Sequence, residues 1–226
     1  MLTKKSPKIY FEKTGSGRPL ILLHGNKEDH HIFDGVIPLL ENNFTVYAVD
    51  SRCHGESESV KEIHYSDMAD DILNLIEEEK LESPCFYGFS DGGIVGLMCA
   101  IKKENAFSKL AVSGANITVG GLKPQVLSGM RLSAFFSRDG RTKMMTREPC
   151  ISPYLLGLIK CETLVTAGEF DIVREKETRL IADSIENSRL MIIKGKNHGN
   201  YVTDSEFLAK MLLDFFLDKE EEQNAE

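Results

Sequence analysis

Residues 87–93 read Tyr87-Gly88-Phe89-Ser90-Asp91-Gly92-Gly93. The apolar run 84–88 (PCFYG) stands directly before Ser90, and the apolar, helix-length stretch Asp91–Lys102 directly after it. A strand that turns into a helix around one residue needs small neighbours, and Gly88 and Gly92 supply them. The serine Oγ then projects from the sheet edge at a helix N-terminus. Backbone N–H groups and the positive end of the helix dipole favour an oxyanion there. Gly-x-Ser-x-Gly alone is a weak signal, expected by chance in roughly one chain in ten of this length. Its setting between a strand and a helix makes it informative.

Outward from this stretch the pattern alternates. Short runs, apolar nearly throughout, occur at residues 19–24 (PLILLH), 45–49 (TVYAV), 110–113 (LAVS), 163–167 (TLVTA) and 190–193 (LMII). Such runs predict strands buried on both faces, as in a parallel sheet. Helical patterns lie between them. Residues 66–80 open on Ser66 as a candidate cap and place Met68, Ile72, Leu75 and Ile76 on one stripe. Residues 91–102 are apolar almost all round and predict a buried helix, while 175–185 and 203–217 are amphipathic. Residues 8–14, followed by Gly15-Ser16-Gly17, predict an antiparallel strand ahead of the first parallel one. Repeated strand–helix–strand units predict an α/β fold: a mostly parallel, twisted sheet with helices on both faces and ligands bound beyond the carboxyl ends of the strands. Residues 117–158 break the alternation with Gly120-Gly121, Pro124, Pro149 and Pro153. They are expected to form a small lid on a single domain.

The bulk composition fits this picture. The 226 residues suffice for one sizeable core, with 42 % apolar and 27 % charged residues. A net charge of −8 argues against nucleic acid as the main partner. No run reaches membrane-spanning length, and "MLTKKSPKIY" has no apolar stretch behind its charges, so neither a membrane partner nor a secretory leader is expected. Five widely spaced cysteines, an odd number with no Cys-x-x-Cys pair, point to reduced thiols in a cytoplasm rather than disulfides or a zinc site. The tail "DKEEEQNAE" reads as a frayed, solvated end.

Serine at its free pKa needs a base. His198, in "KGKNHGNY", follows the last apolar run. The base needs an acid to fix its tautomer, and Asp171, in "VTAGEFDIV", follows the run before that. His24-Gly25-Asn26 closes the first strong run, where a loop can add a backbone N–H to an oxyanion hole.

Taken together these stretches resemble the α/β-hydrolase superfamily. "LLHGN" is similar to its oxyanion loop, "VYAVDSRCHGESES" to its Asp-x-Arg-Gly-x-Gly-x-Ser stretch, and "GFSDGG" to its nucleophile elbow. "TLVTAGEFDIV" and "KGKNHG" resemble its acid and histidine loops, in the right order over about residues 8–217. The resemblance implies Ser90 as nucleophile, His198 as base, Asp171 as acid, and the backbone N–H groups of Asn26 and Asp91 as oxyanion hole. Cys53 departs from the usual Gly, which bears on loop geometry. Asp50 is expected to stabilise a turn, and His54 to be structural. His30, Phe135 and Met144 are candidate substrate-binding residues. The implied activity is hydrolysis of small carboxylic esters through an acyl-enzyme, with no cofactor or metal. The same triad serves thioesterases, amidases, aminopeptidases and carbon–carbon bond hydrolases, and a small-molecule receptor is the alternative from outside catalysis. Between Gly121 and Pro149 six basic residues stand against two acidic ones, a local excess on an acidic protein.

Overall fold

The structure is a computed structural model and describes residues 7–217; the N-terminal charges and the acidic tail read above lie outside the described residues. One seven-stranded sheet is formed by β1 (Phe11–Gly15), β2 (Arg18–Leu23), β3 (Phe44–Val49), β4 (Cys85–Phe89), β5 (Lys109–Ser113), β6 (Glu162–Phe170) and β7 (Ser188–Asn197). Their order is β1-β3-β2-β4-β5-β6-β7. All neighbours are parallel except β1, which runs antiparallel to β3. The helices are α1 (Ile37–Leu40), α2 (Tyr65–Glu78), α3 (Asp91–Lys102), α4 (Pro124–Phe136), α5 (Gly140–Met145), α6 (Pro153–Leu156), α7 (Glu175–Asp183) and α8 (Ser205–Phe216).

The inner strands are mostly apolar because each feeds two cores. In β2, Ile21 and Leu23 join the core beneath α2, α3 and α7, while Leu20 and Leu22 join the core beneath α1 and α8. β3 and β4 divide in the same two-residue period, Tyr47 and Phe86 to one face and Val46 and Tyr87 to the other. The edges differ. β7 alternates half-buried and exposed positions over its first half, with Met191 40 % exposed, as a strand covered on one face does.

Chain direction reverses about β2, whose successor β3 lies on one side and whose neighbour β4 lies on the other. A crevice therefore opens between the carboxyl ends of β2 and β4, where open α/β sheets bind ligands. Leu23 pairs with Gly88 there, so the loop after β2 stands beside the turn after β4.

Ser66 does not cap α2. The helix begins one residue earlier, and the Tyr65 N–H donates to Glu148 Oε2 at 3.1 Å, so a carboxylate remote in sequence supplies the cap. Beside it, Arg52 donates to both oxygens of Asp71, at 2.6 and 2.7 Å, and to Asp67 Oδ2 at 3.0 Å. This pins the loop after β3 to α2. The Asp71 side chain is 4 % exposed. Removing one partner of a buried pair costs about 3 kcal/mol. Arg52→Ala is therefore expected to lower the melting temperature by roughly 10 °C for a chain of this size. A drop of a degree or two would mean that solvent reaches Asp71.

Candidate active site

Ser90 stands between β4 and α3 with φ 52° and ψ −113°, a left-handed conformation that an L residue rarely adopts. The turn is held because its neighbours have no side chains. A Cβ on Gly88 would lie 2.3 Å from Gly92 O, and one on Gly92 2.2 Å from Leu23 O. The Ser90 N–H donates to Ser113 O at 2.7 Å, which fixes the turn to β5.

His198 and Asp171 reach the same place through strand register. Phe170 of β6 pairs with Asn197 of β7, so the next residue on each chain is the acid and the imidazole. His198 Nε2 lies 3.1 Å from Ser90 Oγ, and His198 Nδ1 lies 2.7 Å from Asp171 Oδ1. Asp171 is buried and also accepts from the Val173 N–H at 2.9 Å and the Gly168 N–H at 3.2 Å. Its two oxygens are thus oriented by the loop before they meet the imidazole. The nearby Glu169 is exposed and accepts from the Gly195 N–H, away from this cluster.

The loop after β2 is equally constrained. His24 is buried, its Nδ1 is 2.6 Å from Gly25 O, and its Nε2 accepts from the Ser51 N–H at 3.1 Å. Burial pushes its pKa down to about 4, so the ring is a neutral strut that donates from one nitrogen and accepts at the other. The Gly25 N–H is taken by Glu28 Oε2 at 2.9 Å. The backbone N–H groups of Asn26 and Asp91 have no hydrogen-bond partner among the described residues. Asp91 opens α3, where the first N–H groups have no partner within the helix.

Three expected pocket residues fall elsewhere. His30 is buried with its backbone N–H and Nδ1 both on Asp50 Oδ1, at 2.8 and 2.9 Å. It belongs with Asp50, which also accepts from the Glu56 N–H at 2.9 Å, in bracing the turn after β3. Met144 is 4 % exposed and packs into the core beneath α2 and α3. Phe135 is 82 % exposed on α4, a helix of mixed polar and apolar residues that buries none of its side chains fully. Asp50 and His54 are structural as expected; His54 is buried, and burial holds its pKa down. Cys53 takes a left-handed φ of 65°, the conformation that glycine would hold there.

Two residues escaped sequence reading. Gly114 follows β5 with φ 61°, and a Cβ there would lie 2.7 Å from His198 Cε1. It leaves room for the imidazole to cross the sheet end; an isolated Ser-Gly after a strand was its only signal. Tyr65 is buried, and its hydroxyl donates to Asp91 Oδ1 at 2.7 Å, a contact with no sequence signature. Asp29, His30 and His31 bring potential metal ligands within 4.8 Å of one another. The two imidazole centroids lie 4.1 Å apart with their planes tilted by 36°, and their Nδ1 atoms lie on Asp50 and Asp34. Both Nδ1 atoms are thus already committed to carboxylates. Among the described residues no helix is long and apolar enough to cross a membrane.

Comparison with known proteins agrees with this fold. The chain is 32 % identical over 132 residues to the AB hydrolase superfamily protein YisY of Bacillus subtilis (strain 168), covering 57 % of this chain and 49 % of that one. It is 31 % identical over 140 residues to the pimeloyl-[acyl-carrier protein] methyl ester esterase of Proteus mirabilis (strain HI4320), covering 58 % and 52 %. The matches thus span about half the length of these curated relatives. The crystal structure of a hydrolase from Pseudomonas aeruginosa PA01 superposes with a TM-score of 0.82 at 20 % identity, over 95 % of this chain and 96 % of that one. Residues 18–146, more than half of the chain, match the family model described as alpha/beta hydrolase fold, and the chain belongs to that family.

Proposed function

We propose that this protein is a serine hydrolase acting on small carboxylic esters. The observation that carries the reading is the continuous contact from Ser90 Oγ to His198 Nε2, at 3.1 Å, and from His198 Nδ1 to Asp171 Oδ1, at 2.7 Å. In this reading His198 takes the Ser90 proton as Oγ attacks the acyl carbon. The Asn26 and Asp91 N–H groups hold the tetrahedral oxyanion. His198 then protonates the leaving alcohol, and water, activated by the same imidazole, releases the acid from the acyl-enzyme. The similarity to a methyl ester esterase supports an ester over an amide. The segment between β5 and β6, with α4 to α6, serves as a short cap over the crevice.

A fluorophosphonate probe tests the nucleophile without requiring a known substrate. One adduct per chain by intact mass, located on Ser90, is the expected result. No adduct on folded protein would put a small-molecule receptor ahead. A matched panel of short and long esters, thioesters and amides then ranks the bond cleaved. Highest kcat/KM on short-chain esters is expected, and a strong preference for long-chain lipids or amides would overturn the ester assignment.

A further inference from the structure

Asp91 carries a buried carboxylate beside the nucleophile that the triad does not use. The residue is 3 % exposed. Oδ2 accepts from Asn26 Nδ2 at 2.8 Å, and Oδ1 accepts from the Tyr65 hydroxyl at 2.7 Å. The two residues that offer the oxyanion N–H groups are thereby joined through their side chains, across the crevice between β2 and β4. We propose that Asp91 is a positioning residue whose carboxylate, with Asn26 and Tyr65, sets the separation of the two oxyanion donors. This rests on the serine hydrolase reading above.

The chemistry of each partner suits such a strut. An amide facing a carboxylate must present its NH2, so the Asn26 side chain has one orientation. Tyr65 is buried, and burial holds its phenol pKa well above the usual value, so the hydroxyl remains a donor. Burial also raises the Asp91 pKa, and the hydrogen bonds from Asn26 and Tyr65 act against that rise. Two donors on an almost fully buried carboxylate form a local network that is costly to break. The opposite assignment, an anchor for an ammonium group on the substrate, requires a free and accessible oxygen. Both Asp91 oxygens are occupied.

The strut has an outer end. Tyr65 is the first residue of α2, and its N–H donates to Glu148 Oε2 while Glu148 Oε1 pairs with His64 Nδ1 at 2.5 Å. Glu148 lies in the segment between β5 and β6. A continuous chain of polar contacts therefore runs from that segment through Tyr65 to the oxyanion hole.

The test compares wild type with Asn26→Ala, Tyr65→Phe and Asp91→Asn. The readouts are kcat and KM on a neutral ester, and affinity for a trifluoromethyl ketone, which adds to serine and places an oxyanion in the hole. Deleting one oxyanion donor outright costs about 10²–10³ in kcat, so displacing one is expected to cost about 10-fold or more. The expected pattern is a fall in kcat at nearly constant KM, with ketone affinity falling by the same factor. The double variant Asn26→Ala/Asp91→Asn should be no worse than the poorer single one, because both break one strut. Should Asp91→Asn fail to fold, Tyr65→Phe, which removes one hydroxyl and no packing, carries the test. Unchanged kcat and ketone affinity would overturn the proposal. So would an Asp91→Asn effect confined to KM for ammonium-bearing esters. Phosphonate labelling of Ser90 separates the two readings: an unlabelled wild type removes the hydrolase and the strut with it, whereas a labelled wild type with unaltered variants removes the strut alone.

Discussion

Ser90→Ala is expected to reduce kcat on any ester the protein turns over by about 10⁴–10⁶-fold, the range in which loss of a nucleophile leaves only oxyanion binding and proximity. Fluorophosphonate labelling should vanish. The fold should not change, because the substitution removes one oxygen whose side-chain partner is His198 Nε2. Alanine keeps the strain of a positive φ, so relief of strain is not a complication. Ser90→Gly makes the converse point. It removes the same oxygen but also relaxes a backbone held at φ 52°. Strain of this kind amounts to about 1 kcal/mol or more. Ser90→Gly should therefore be as inactive as Ser90→Ala and melt a few degrees higher. Turnover within 100-fold of wild type in either variant would assign the chemistry to another group.

Much of this architecture was legible because it rests on local patterns. β2 to β5 are apolar over most of their length, and both core clusters draw on them, so their runs announced a sheet covered on two faces. Chain order supplied the rest: each strand of a parallel sheet ends at the same edge, so polar residues that follow strands meet there. That rule brought together Ser90, Asp171 and His198, whose sequence separation is large. The elbow was legible for a steric reason, since both flanking glycines abut backbone atoms.

What sequence did not convey was lateral contact between elements. β6 and β7 run past their apolar stretches to Phe170 and Asn197, because ladder pairing with each other sustains residues with no strand propensity. The α2 cap is Glu148, which no local motif could indicate. Apolar side chains in the segment between β5 and β6 looked alike in sequence, yet Met144 is core and Phe135 is solvent-facing. Periodicity marks an apolar stripe, but not which side of a short helix meets the domain. His30 was misplaced for a related reason: its partner Asp50 belongs to the next strand end, and only the β2–β3 pairing brings them together.

Asp171→Asn is expected to lower kcat by about 10⁴-fold with little change in KM, since the wrong imidazole tautomer is then stabilised. The local hydrogen bonds make the outcome nearly independent of how the new amide is turned. Placed toward His198, the NH2 meets an Nδ1–H that must donate, and forces the proton onto Nε2, where Ser90 Oγ then meets a donor instead of a base. Turned the other way, it faces the N–H of Gly168, which donates to Asp171 Oδ2 at 3.2 Å. Two donors facing each other in a buried loop cost about 1–3 kcal/mol, and the loop that orients the acid loosens. Either arrangement spoils the base while leaving the Ser90 hydroxyl in place, so phosphonate labelling should slow greatly but still end on Ser90. Glu169→Gln is the matched control. That carboxylate is exposed and directed at the Gly195 N–H, so its neutralisation should leave kcat within about two-fold, as surface substitutions usually do. Near-normal turnover by Asp171→Asn together with loss in Glu169→Gln would exchange their roles. Loss in Asp171→Asn alone, accompanied by a melt lowered by only a few degrees, would tie the base strength of His198 to the single carboxylate that strand register sets beside it.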